Sequence, residues 1–133
     1  MKCMHAIKSF RDLTVWQQGM QLVEDVYELS RLLPSEERFG LRMQLRRTVV
    51  SIPSNVAEGF RRWRRQAYSN HISIALGSQG EIETQIEIAI RLKYVTAARA
   101  AAVMGRTEKV GKMLSGLLRS LEERDAMPRR RAR

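Results

Sequence analysis

The residues of this sequence best suited to chemistry are arginines gathered around one tryptophan. Between Arg38 and Arg65 the chain holds eight arginines and a single acid, Glu58, for a net charge of +7. Four of these arginines flank Trp63, at positions 61, 62, 64 and 65. One guanidinium group can bind two phosphate oxygens at once, and an aromatic ring can stack on a base. The pattern is therefore typical of nucleic-acid binding. The alternative is a solvated loop whose tryptophan packs on the end of the protein.

The rest of the net positive charge is also concentrated in one segment. The 133-residue chain has a net charge of +10, and the carboxyl-terminal arginines 129, 130, 131 and 133 contribute four of its positive charges. The excess is therefore confined to two patches, which favours an anionic partner. Nucleic acid is the leading candidate, although a short arginine tail also serves simply to keep a protein soluble.

Signatures of catalysis and metal binding are missing from the sequence. There is no glycine-rich loop followed by Lys-Ser or Lys-Thr, no His-Glu-x-x-His and no Glu-x-x-His. One cysteine, Cys3, and two histidines, His5 and His71, are too few for a disulfide or a zinc site. Ser51 and His71 are the nearest candidates for catalysis, and a histidine bonded within the core is the simpler interpretation. We expect no enzyme activity, no cofactor and no metal.

The hydropathy pattern also excludes a membrane protein. Apolar runs such as residues 100–104 are far shorter than the roughly 20 residues that a membrane span needs. The first eight residues contain no apolar stretch of the secretory type. We expect a cytoplasmic protein with no membrane partner.

Four stretches with helical periodicity must position the arginines. They are predicted at residues 12–33, 35–60, 66–93 and 96–124. Short connections favour an all-α, antiparallel, up-down-up-down four-helix bundle over residues 10–125. Residues 1–9 are then an extension and residues 126–133 a basic disordered tail. Gly77 and Gly80 weaken the third helix, which predicts that another backbone approaches closely there.

The second helix has more apolar surface than one bundle core requires. One row of residues along it consists of Leu41, Leu45, Val49, Ile52, Val56 and Phe60. A neighbouring row consists of Phe39, Met43, Val50, Pro53 and Ala57. Since no helix of a four-helix monomer is central, we expect the first row to contact a second subunit.

Four segments of the sequence resemble a known family. They are Phe10-x-Asp12-Leu13-x-Val15-Trp16-Gln17, Leu33-Pro34-x-x-Glu37-Arg38-x-Gly40-Leu41-x-x-Gln44-Leu45-Arg46-Arg47, Ser51-Ile52-Pro53-Ser54-Asn55-Val56-Ala57-Glu58-Gly59-Phe60 and Gly77-Ser78-x-x-Glu81. Over about residues 9 to 120 the chain resembles the four-helix-bundle family encoded in intervening sequences of bacterial large-subunit ribosomal RNA genes. That family is related to the accessory variability protein (Avd) of diversity-generating retroelements.

The resemblance implies an assembly and a partner. Known members form ring- or barrel-shaped homopentamers, and the retroelement relative binds nucleic acid through a basic surface and also binds a reverse transcriptase. Most other members have no established activity. Arg46, Arg47 and Arg61 match the family's basic positions, whereas the charges at Arg62, Arg64 and Arg65 are particular to this chain.

Together these inferences predict a non-enzymatic, oligomeric accessory protein that binds RNA or DNA. Its expected nucleic-acid-binding residues are Arg46, Arg47, Arg61, Arg62, Trp63, Arg64 and Arg65. The alternative function is a protein-interaction scaffold whose arginines meet an acidic protein partner without nucleic acid.

Overall fold

Four long helices make up most of the fold in the computed structural model, which describes residues 7–126. They are α1 (Thr14–Ser30), α2 (Leu41–Arg62), α3 (Arg65–Arg91) and α4 (Ala97–Ala126). Single 3-10 turns at Phe10–Asp12 and Ser35–Glu37 precede α1 and α2, and this part of the chain contains no strand. The all-α prediction is confirmed there. Cys3, His5 and the arginine tail lie outside the described residues.

A capping motif opens the 3-10 turn that precedes α1. The Ser9 hydroxyl accepts the Arg11 backbone N–H, and the Asp12 carboxylate accepts the Ser9 N–H at 3.1 Å. This reciprocal arrangement is a capping box, and it satisfies amide donors that a helical turn leaves unpaired. Together with the bond from the Lys8 N–H to Asp12, it fixes Lys8, Ser9 and Phe10 at one end of the fold.

Helix α2 begins later than the sequence predicts. The predicted start at Ser35 is only a 3-10 turn, and the backbone of Gly40 leaves helical geometry before α2 begins at Leu41. Glu37 caps this new start, because its Oε1 accepts the Leu41 N–H at 2.9 Å. Proline and acidic residues mark a helix start in sequence, but they do not distinguish one turn from the long helix that follows.

The apolar row on α2 lies in the core of the chain, so its assignment to a contact between subunits is wrong. Leu45, Val49, Ile52 and Val56 are completely buried, Leu41 is nearly so and Phe60 is half-buried. The physical reason is that α2 packs against both α1 and α3. A helix that packs against two neighbours buries side chains over a wider arc of its circumference than a helix with one neighbour does.

The second row on α2 contains the residues that remain exposed. Phe39, in the turn before α2, is 77% exposed, Met43 is 38% exposed and Val50 is 40% exposed. Pro53 is buried instead, and its ring lies against Gly19 of α1, where an added Cβ would be 3.5 Å from the proline Cβ.

Polar pairs set the register between α2 and α3. The Ser51 and Ser78 hydroxyls are hydrogen-bonded at 2.6 Å, and Gln85 donates to the Thr48 hydroxyl at 3.2 Å. Nearer the α2–α3 connection, His71 Nδ1 lies 3.0 Å from Asn55 Oδ1. These contacts align the two helices along most of their length.

Helix α4 completes the packing against both α1 and α3. The Arg106 Nε donates to Asp25 of α1 at 2.6 Å, and its Nη1 donates to Gln18 at 2.8 Å. On the other side, Gln79 of α3 donates to the Thr107 carbonyl at 3.1 Å. The four helices therefore enclose one core. Within the part described, no helix is both long enough and apolar enough to cross a membrane.

Candidate nucleic-acid interface

The connection between α2 and α3 holds Trp63 out from the helix ends. Trp63 has a φ of 39°, in the left-handed region that ends a helix, and its N–H donates to the Gly59 carbonyl at 3.1 Å. Its ring is 76% exposed. The alternative in which this tryptophan packs on the end of the protein is therefore wrong.

Gly59 lets α2 and α3 meet closely beneath that connection. A Cβ added at Gly59 would lie 2.9 Å from the His71 Cβ and 3.0 Å from Cδ1 of Tyr68. Contacts this short do not occur between real side chains, so only glycine fits here without a shift. The close approach draws the end of α2 and the first turns of α3 together.

A basic, aromatic cavity of about 680 Å³ opens at this corner. Four of its lining residues are cations and four are aromatic; we call it the corner cavity. The cations are Lys8, Arg61, Arg65 and Arg124, and the aromatic residues are Phe10, Phe60, Trp63 and Tyr68. Ser9 and Leu121 complete the lining that the described residues provide, and none of these residues is acidic.

Internal contacts hold two of the cavity's cations in place. Arg65 Nη1 donates to the Arg124 backbone carbonyl at 2.8 Å, which joins the start of α3 to the end of α4. The Arg61 guanidinium lies 5.6 Å from the centre of the Phe10 ring, within cation–π range. Neither contact neutralises a positive charge, so both side chains remain able to bind an anion.

Tyr68 adds a neutral polar group to the same wall. Its ring packs edge-on against Phe60 with centroids 6.2 Å apart. Burial raises the pKa of the Tyr68 phenol, and the positive charge of Arg124 partly opposes the rise. The phenol therefore keeps its proton at neutral pH and is a hydrogen-bond donor.

The other two arginines beside Trp63 are placed differently. Arg62 points back along α2 and pairs with Glu58 at 3.3 Å, where both side chains are more than half exposed. Arg64 is exposed at the cap of α3 and does not line the corner cavity. Of the predicted cluster, the fold thus brings together Arg61, Trp63 and Arg65.

Arg46 and Arg47 lie apart from the corner cavity. Fourteen residues separate Arg47 from Arg61, about 21 Å along the axis of α2. Arg46 is tied to α1, since its Nε donates to Ser30 Oγ at 2.8 Å and its guanidinium lies 4.9 Å from the centre of the Tyr27 ring. Arg42 donates to the Leu33 carbonyl at 2.5 Å, so both side chains bind neutral groups.

These residues form a second basic surface, a cavity of about 650 Å³ that we call the α2 groove. Its cations are Arg38, Arg42, Arg46 and Arg47, and its apolar members are Tyr27, Phe39, Met43 and Val50. Arg47 is exposed on its edge. The single basic segment of the sequence is thus divided between two surfaces.

The candidate catalytic residues are engaged in structural contacts. The Ser51 hydroxyl donates to the Thr48 carbonyl and accepts from the Ser78 hydroxyl, while His71 faces Asn55 and lies 3.6 Å from Glu58. Ser51 and His71 do not form a nucleophile–base pair. Across residues 7–126, no three His, Cys, Asp or Glu side chains are grouped as a metal site would require.

Sequence reasoning missed Lys8, Phe10 and Arg124 as members of the basic corner. Lys8 and Phe10 precede α1, and Arg124 lies in the last turn of α4, far from Trp63 in sequence. No local signal singles them out. Only the packing of α1, α2 and α4 brings them to one end of the fold.

Comparison with known proteins gives a family and a fold. The family model for the 23S rRNA-intervening sequence protein matches residues 11–116. A crystal structure from Bacteroides thetaiotaomicron, described as a protein with unknown function from the S23 ribosomal protein family, superposes with a TM-score of 0.73 at 24% identity. The match covers 79% of this chain and 95% of that one, and at this identity it shows likeness of fold. None of the curated proteins matches.

Proposed function

This chain belongs to the 23S rRNA-intervening sequence protein family, and we propose that it is a non-enzymatic, oligomeric accessory protein that binds RNA or DNA at the corner cavity. The observation that carries the proposal is the cavity lining, in which four cations and four aromatic rings converge and no acid lies among the lining residues that the structure describes. Phosphates bind to such cations and bases stack on such rings. A kinship with the retroelement accessory protein is part of this proposal.

The aromatic lining favours nucleic acid over the alternative of an acidic protein partner. Carboxylates of a protein pair with arginine, but they do not need an exposed stacking ring beside it. Trp63 is 76% exposed within the basic corner, a position that suits a base. A scaffold function predicts instead that the protein binds no oligonucleotide at all.

The proposed assembly starts from an antiparallel arrangement of the helices. Contacts between α2 and α3 support it, because higher positions on α2 meet lower ones on α3: Thr48 meets Gln85, Ser51 meets Ser78 and Asn55 meets His71. Contacts between α3 and α4 follow the same order, with Arg65 near Arg124 and Gln79 near Thr107.

We propose that copies of this bundle form a ring, most simply the pentamer that the resemblance implies. The α2 groove is basic and apolar. A cavity of about 490 Å³ between α3 and α4 is acidic and apolar, lined by Glu83, Glu87, Glu108, Ile88, Met104, Thr84 and Arg91. Contact between two different, complementary surfaces is heterologous, and such contacts generate a ring when the rotation between neighbouring copies closes.

The proposed function is tested by removing charge from the corner cavity. We expect the double variant Arg61→Gln/Arg65→Gln to bind a fluorescent oligonucleotide at least tenfold more weakly, because each charge-assisted contact contributes about 1.5–3 kcal/mol. The control is Arg31→Gln/Arg99→Gln, which removes the same charge from exposed positions at the other end of the fold. We expect it to change affinity by less than about threefold.

The outcomes separate the two functions. Equal losses in both double variants would mean that net charge alone drives binding and that the corner is not the site. A wild-type protein that binds no oligonucleotide, and that purifies with the ultraviolet spectrum of pure protein, would support the scaffold function instead.

A further inference from the structure

We propose that the corner cavity holds one unstacked nucleotide of a single strand, with the base on Trp63 and the phosphate among Lys8, Arg61, Arg65 and Arg124. This inference rests on the proposed function and names its substrate class. Single-stranded nucleic acid, rather than duplex, is the ligand that this geometry fits.

The shape of the site favours a single strand. The corner cavity is concave and its volume of about 680 Å³ lies in the range of pockets that enclose small molecules. A duplex presents a convex backbone, and its bases are stacked inside. It can contact the rim of such a cavity through phosphates but cannot fill it with a base.

The placement of the cations also favours a single strand. They come from four separate parts of the fold: Lys8 precedes α1, Arg61 ends α2, Arg65 begins α3 and Arg124 lies at the end of α4. Cations arranged around a cavity surround one or two phosphates. A protein that follows a duplex backbone needs them in a stripe instead.

Trp63 is held in a position where an unstacked base can reach it. Its backbone is held in the left-handed region between two helices, where a bulky residue is uncommon. That conformation keeps the ring at the mouth of the cavity and largely in water. A base that stacks there covers the ring and brings its own phosphate within reach of the cations beside it.

A competition between strands tests this directly. We would measure the affinity of the full chain for a labelled 12-nucleotide single strand, for the 12-base-pair duplex and for an abasic single strand of equal charge. Electrostatics alone favours the duplex, which carries more phosphates. We expect the single strand to bind at least fivefold more tightly than the duplex and about tenfold more tightly than the abasic strand.

Substitutions then identify the stacking ring. We expect Trp63→Ala to weaken single-strand binding about tenfold and to leave duplex binding within twofold, whereas Trp63→Phe retains most of the affinity. The control is Leu92→Ala, which removes an exposed apolar side chain at the end of α3 that lies away from the corner cavity. It should leave single-strand binding unchanged.

Each outcome bears on one proposal. Duplex binding that equals or exceeds single-strand binding, or a Trp63→Ala variant that weakens both equally, would overturn the single-nucleotide site while the proposed function stands. Loss of binding to every strand in the wild-type protein would overturn the proposed function itself.

Discussion

At the scale of single residues, the same side chain has different roles according to the surface it reaches. Arg46 and Arg47 are adjacent in sequence, yet Arg46 is bonded to Ser30 while Arg47 is exposed. Arg61 lines the corner cavity, and its neighbour Arg62 pairs with Glu58. Composition predicts the concentration of arginine, but the assignment of each one depends on helix packing that the sequence does not state.

Glycine gives a residue-scale prediction. The sequence favours close contact at Gly77 and Gly80, but a Cβ added at either one would meet nothing within 4 Å in this chain. The close approach occurs at Gly59 instead. We expect Gly59→Ala to lower the free energy of unfolding by about 1–3 kcal/mol, because the added methyl overlaps α3.

Thermal or urea unfolding measures this effect, and Gly77→Ala is the matched control. Its methyl group enters open space in a helix interior, so we expect it to raise stability by about 0.5–1 kcal/mol. If both alanines changed stability by the same amount, the close packing at Gly59 would be contradicted.

At the scale of the elements, the Glu37 carboxylate joins the connection before α2 to the connection between α3 and α4. Glu37 Oε1 accepts the Leu41 N–H at 2.9 Å, and its Oε2 accepts the Tyr94 hydroxyl at 2.8 Å. The Leu41 amide and then the Tyr94 hydroxyl hold the pKa of Glu37 below its usual value of 4.5. The same bond raises the pKa of Tyr94.

The pH dependence of stability follows from this lowered pKa. The unfolded chain takes up the proton at higher pH than the folded chain, so the stabilising effect of Glu37 is complete above about pH 4.5 and is lost as the pH falls further. We expect Glu37→Gln to lower the melting temperature at pH 7 and to approach the wild type under acid conditions.

The exposed neighbour Glu36 supplies the control for this experiment. Glu36→Gln removes an equal charge without breaking the cap, so its melting temperature should stay close to that of the wild type at pH 7. A constant difference between Glu37→Gln and the wild type from pH 7 to pH 3 would show that the ionised carboxylate is not the stabilising form.

Helix bounds were predictable from sequence to within a few residues, except where turn chemistry intervenes. The predicted ends near Pro34 and Tyr94 match breaks between observed helices, and α3 and α4 start within one residue of prediction. The start of α2 was misplaced because Ser35, Glu36 and Glu37 form a turn of their own. Local periodicity does not reveal that Gly40 separates this turn from the helix.

At the scale of the whole molecule, the sequence indicated more apolar surface on α2 than one core needs. The row that it predicted to face a second subunit is buried within the chain. Periodicity defines the rows on a helix without stating how many neighbours cover them. Two neighbours bury the first row, and three residues of the second row, Phe39, Met43 and Val50, line the α2 groove with four arginines. The corner cavity was predictable only in part, since Lys8 and Arg124 reach it through the fold.

The proposed ring predicts a particle mass that is a multiple of 15.4 kDa. We expect Arg38→Glu/Arg47→Glu in the α2 groove, or Glu87→Lys/Glu108→Lys in the acidic cavity between α3 and α4, to reduce assembly through like-charge repulsion. Combining both sets restores opposite charges and should restore the particle. Light scattering distinguishes these cases, and a wild-type monomer or a combined variant that stays dissociated would contradict the proposed contact.

The central claim is that the arginine-lined corner binds nucleic acid through its phosphates, and the salt dependence of binding tests it most directly. The affinity for a single-stranded oligonucleotide would be measured by fluorescence anisotropy across a series of salt concentrations. If the cations of one cavity neutralise one or two phosphates, the logarithm of the association constant falls with the logarithm of salt at a slope of about −0.7 to −1.4. A slope near zero would contradict the account.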